Sequence, residues 1–110
     1  MSKFDDFLDA VRSGVGDLAK DTLKGVINQA KEDAEDFLKR SALDLKRWSD
    51  FLATGELSKD EFEGLVKGLK SLAKMHALTV AGISIIKINR FRNAVINLVI
   101  DAAFSAFLPL

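Results

Sequence analysis

The 110 residues suffice for one domain, and 48% hydrophobic with 29% charged residues is the balance of a chain that folds around an apolar core rather than staying disordered. Its 16 Lys and Arg equal its 16 Asp and Glu, so there is no whole-chain field to hold nucleic acid or another polyanion. The absence of cysteine excludes disulfides, thiolate metal sites and a cysteine nucleophile, and makes a cytoplasmic setting the expectation.

The opening Met1-Ser2-Lys3-Phe4-Asp5-Asp6 puts acids where a secretory signal carries a basic region and an apolar run, so no signal is expected. The longest uncharged runs, Ala77 to Ile86, Asn93 to Ile100 and Ala102 to Leu110, are shorter than the ~20 residues of a spanning helix.

From the start, Phe4, Leu8, Val11, Val15, Leu18, Leu23, Val26, Ala30, Ala34, Phe37, Ala42, Leu45, Trp48 and Leu52 recur mostly every third or fourth residue. That spacing predicts a helix from about residue 3 to 53, with charged residues on its other faces. Gly14, Gly16 and Gly25 are its weak points, each costing roughly 1 kcal/mol against alanine, and a kink or break is expected near 14 to 16. A third helix is the alternative such a break would create.

Gly55 suits a left-handed helix stop, and Ser58 with Glu61 three residues on forms a capping box, with Leu57 placed to staple onto Phe62. A second helix is therefore predicted over 58 to 107. Its stripe runs through Leu65, Leu69, Leu72, His76, Val80, Ile83, Phe91, Val95, Leu98 and Ala102 and ends at Pro109. Around Gly82 the β-branched residues invite a kink. The expected architecture is an all-α helical hairpin in one domain, 1 to 110, assembling into a four-helix-type bundle.

On a helical wheel, Lys87, Arg90, Asn93, Asn97, Asp101 and Ser105 share one side of the second helix, leaving about half the circumference apolar. A single neighbouring helix cannot cover that half, so a second copy is expected to, across Ile85, Ile88, Arg92, Val95, Ile96, Val99 and Ala103. Arg92 falls inside the apolar half and needs a carboxylate or solvent.

Little in the sequence points to catalysis. His76 is the only histidine, is expected on the buried stripe, and has no nucleophile or third group at the spacing a triad needs. Glu32, Asp33, Glu35 and Asp36 read as a solvated face compensated by Lys31, Lys39 and Arg40, and no Glu-x-x-His motif is present. Gly14-Val15-Gly16 lacks the remainder of a phosphate loop. No cofactor is expected.

The segment from Asp50 to Phe62 resembles an EF-hand calcium loop in spacing. Asp50, Thr54, Glu56, Ser58 and Glu61 match ligand positions and Gly55 the turn glycine, whereas Leu52 stands where an oxygen ligand belongs. Three functions follow as expectations. The first is a non-catalytic scaffold acting by self-association and by helix contacts with other proteins. The second is a peripheral membrane protein using the apolar C-terminal stretch with Lys87, Arg90 and Arg92. The third is a degenerate calcium-binding loop.

Overall fold

A computed structural model describes residues 2–108. Five helices follow in order: α1 (Lys3–Thr22), α2 (Ile27–Thr54), α3 (Lys59–Gly68), α4 (His76–Val80) and α5 (Ile85–Phe107). Short 3-10 turns at Lys24–Val26 and Leu69–Leu72 interrupt them, and no strand occurs among the described residues. The all-α hairpin is thus present, with each of its expected long arms divided.

The first arm divides at Leu23 rather than at the glycines near 14. Ser2 caps α1 by accepting the Asp5 amide at 3.1 Å, and Phe7, Val11, Val15 and Ala19 form a buried stripe of four-residue steps. At Leu23 the backbone leaves the helical region (φ −135°, ψ 48°), and the buried Leu23 side chain anchors the reversal. α2 then runs back along α1, bringing Glu35 to Arg12 at 2.8 Å. Gly14 stays helical because it serves a different purpose. A Cβ there would lie 2.9 Å from Cδ2 of Leu98, so the glycine lets α1 approach α5 closely.

α2 ends as its sequence requires, with Gly55 left-handed at φ 84°. Ser58 Oγ accepts from the Glu61 amide at 3.1 Å while the Glu61 carboxylate accepts from the Ser58 amide at 2.9 Å, so both halves of the capping box form. Phe62 and Val66 carry α3 into the core.

The second arm is interrupted from residue 69 to 84. After the 3-10 turn the chain makes an inverse γ-turn at Ala73 (φ −84°, ψ 81°), with the Lys74 amide donating to the Leu72 carbonyl at 3.1 Å, Met75 adopts φ 56°, and α4 lasts only five residues before Gly82 turns the chain at φ 82°. This break resets the helical phase. An unbroken helix would have carried the stripe of Phe62, Val66 and Leu69 on to His76 and Val80, but Met75 and Leu78 are buried instead and His76 and Val80 are exposed.

Ser84 caps α5, accepting the Lys87 amide at 3.3 Å. α5 runs antiparallel to α1: Phe107 meets Phe7 with ring centroids 5.5 Å apart, and Leu98 meets Gly14. Its Phe104 packs on Phe62 of α3 at 5.9 Å, and contacts with α2 and α4 complete its surroundings. The apolar half of α5 is therefore covered by this chain's own α1, α2, α3 and α4, which the two-helix expectation did not supply. Leu108 closes the helix in the extended conformation that a residue before proline prefers (φ −70°, ψ 132°). Pro109, the expected helix stop, lies outside the described residues.

Candidate interaction surface at the α4–α5 end

Two side chains far away in sequence fix the interrupted segment. The first amides of α4 have no capping side chain beside them, since Met75 occupies the N-cap position. Asp33 of α2 takes that role, accepting the amides of Ala77 at 2.9 Å and Leu78 at 2.8 Å while only 4% exposed. A carboxylate at that depth is tolerated because both bonds are charge-assisted and it sits at a helix N-terminus. On the other side, the half-buried Arg92 donates Nε to the carbonyl of Ala73 at 2.9 Å and a second nitrogen to Asn89 Oδ1. Its principal partner is thus a backbone carbonyl of this chain, in a half-buried position, where the wheel calls for a carboxylate or solvent.

These ties fix the entry to α4, and the turn that leaves it, closed by Ile83 donating its amide to the Leu78 carbonyl at 3.2 Å, leaves the aliphatic residues on either side of it exposed to solvent. Val80 is 72% exposed, Ile85 66% and Ile86 63%, while Ile83 between them packs against the core. Such residues are normally drawn inward, and three of them within residues 80–86 form an apolar tip. Lys87 and Arg90 follow directly. They flank a cleft of about 380 Å³ between α1 and α5, floored by Leu18, Leu23 and Phe91.

The tip belongs to a segment with a one-sided charge. No acidic residue occurs between Glu63 and Asp101, yet Lys67, Lys70, Lys74, Lys87, Arg90 and Arg92 all fall there. Among the described residues only Lys67 of these six has a carboxylate partner, Glu63 at 3.5 Å. Outside the segment acids and cations alternate along the chain, and four of the ten cations there pair with nearby carboxylates among the described residues, Arg12 with Asp9 and Glu35, Arg40 with Asp36, Lys46 with Asp50 and Arg47 with Asp44. A net charge of zero concealed this segregation, which scanning for acid-free runs would have revealed.

The residues expected to face a second copy divide sharply. Ile88, Val95, Ile96, Val99 and Ala103 are buried in the core of the single chain, Arg92 is half-buried in its clamp, and Ile85 alone is exposed. The acidic cluster of α2 also divides. Asp36 pairs with Arg40 four residues on at 2.8 Å, as a solvated face does, but Asp33 turns inward and Glu35 reaches across to Arg12. Hydrogen bonding from Arg12, opposed by partial burial and aided by the charges of Arg12 and Lys39, holds the Glu35 carboxyl below its ordinary range.

His76 opens α4 on the surface, where it shares a shallow groove with Gln29, Glu32, Ala77, Val80 and Ala81 and meets no nucleophilic hydroxyl there. In the calcium-loop segment, Asp50 to Thr54 are the last turn of α2, Asp50 pairs with Lys46, and Ser58 and Glu61 are engaged in the capping box. A continuous helix through Thr54 keeps these oxygens from wrapping one point in the manner of an EF-hand. No group of three or more metal-binding side chains gathers among the described residues. Comparison of the chain with protein-family models, with curated proteins and with solved structures finds no match.

Proposed function

We propose that the chain is a non-catalytic interaction protein whose contact surface is the α4–α5 end. The carrying observation is the exposure of Val80, Ile85 and Ile86 on either side of the turn after α4, a helix whose entry buried Asp33 and half-buried Arg92 hold in place. A segment anchored at such cost in buried polar groups is a surface of fixed shape, which suits recognition better than it suits a loose connection. The same reading relocates self-association: a second copy has Ile85 to contact among the seven residues first anticipated, and the remainder of that apolar half is already covered.

A photoreactive residue placed at Ile86, with Leu43 as the comparison, tests the location. Leu43 is 87% exposed, and it lies on α2 far from that helix's start beside α4. Cross-linked products of any kind at Ile86 with none at Leu43 are expected in cells producing the protein. Equal yields at both positions, or none at either, remove the assignment.

A further inference from the structure

We infer that the occupant of this end is the surface of an anionic phospholipid bilayer, with Ile85 and Ile86 entering the acyl boundary and Lys87 and Arg90 meeting headgroup phosphates. The inference rests on the contact surface proposed above and names its partner.

Charge selects an anion. Lys87 and Arg90, without a carboxylate partner among the described residues, line the cleft beside α1 with no acid among its lining, and the segment between Glu63 and Asp101 that carries them holds none either. Two copies meeting through their tips would bring two such segments together, and like charges opposed across an interface disfavour that pairing.

The aliphatic tip selects among anions. Nucleic acid offers phosphate to the cations, but it rewards stacking, and the segment has no exposed Phe, Tyr or Trp, its Phe91 being buried. Ile85 and Ile86 would stay in water against a phosphate backbone, whereas an interface gives aliphatic side chains an apolar medium directly beneath the headgroups. Ile86 and Arg90 are four residues apart on an exposed face of α5, so an inserted Ile86 leaves Arg90 one turn higher, at headgroup level. None of the described helices is long and apolar enough to cross a membrane, so the contact is with the surface.

The test is flotation of the full chain with vesicles of phosphatidylcholine alone and of phosphatidylcholine mixed with phosphatidylserine, at low and high salt. Solution mass by light scattering is measured in parallel. Wild type is expected to float with phosphatidylserine vesicles, to do so less as salt rises, and to remain behind with phosphatidylcholine. Ile85→Ser with Ile86→Ser should lower partitioning at least about tenfold. Lys87→Gln and Arg90→Gln should each lower it about fivefold at low salt. Leu43→Ser should leave it unchanged.

Failure of wild type to float, or equal flotation of the Ile85→Ser, Ile86→Ser variant, overturns the inference. So does duplex DNA binding that survives in that variant. If wild type instead grows in mass with concentration and the isoleucine variant does not, the lipid inference falls while the contact surface stands. Should the isoleucine variant misfold by circular dichroism, the lysine and arginine variants decide alone.

Discussion

The carboxylate of Asp33 accepts the backbone amide of Leu78 at 2.8 Å across 45 positions of sequence, so a side chain of α2 forms the N-terminal cap of α4. Asp33→Ala leaves the buried Leu78 amide and the part-buried Ala77 amide without an acceptor and is expected to cost about 1–3 kcal/mol, in the range of losing a buried cap. Asp33→Asn, which keeps one acceptor, should cost less. Thermal melts of both variants measure the difference, and faster hydrogen exchange at Ala77 and Leu78 should localise it.

Gly14 and Leu98 offer a test of packing against helix propensity. Gly14→Val should destabilise by roughly 1–3 kcal/mol, because the added carbons enter space already filled by Leu98 at 2.9 Å from the Cβ position. Combining it with Leu98→Ala should cost less than the sum of the two single changes. A double-mutant cycle in urea gives this coupling, and simple additivity would deny the contact.

Met75 combines a left-handed backbone with a fully buried side chain. Met75→Gly relieves conformational strain of about 1 kcal/mol but removes a core side chain whose deletion costs about 2–5 kcal/mol. Packing is expected to prevail, giving a net loss of at least about 1 kcal/mol in denaturant titration. A stabilised Met75→Gly variant would mean that the backbone governs this position.

The Arg12–Glu35 pair predicts a pH dependence. With its carboxyl held below the ordinary value of 4.5, Glu35 takes up its proton at lower pH folded than unfolded. Its stabilising contribution is therefore complete at neutral pH and is lost as pH falls through the lowered folded value. Both side chains remain partly exposed, so Glu35→Gln should cost only about 0.5–1 kcal/mol at pH 7. The difference from wild type should shrink in acid, as thermal melts across the carboxylate range would record.

By itself the sequence determined the all-α class, the stop at Gly55, the restart at Ser58 with Glu61, and the broad apolar half of α5. Each depends on residues within one or two turns of each other, where propensity, capping and period act directly. The breaks at Leu23 and across 69 to 84 were decided by tertiary structure. Gly25 marked a weak point inside the first break, but Leu23 is one more apolar residue in the pattern until its burial fixes the reversal, and the γ-turn at Ala73 and the start of α4 after left-handed Met75 are held by Arg92 and Asp33, partners that no local window contains. Those breaks changed the helical phase, which carried His76 and Val80 to the surface and Met75 inward. They also added the helices that cover Ile88, Val95, Ile96, Val99 and Ala103, leaving Ile85 and Ile86 as the apolar surface of α5. A hydrophobic stripe records which residues avoid water; whether a neighbour in the same chain or a partner covers them depends on where the chain turns.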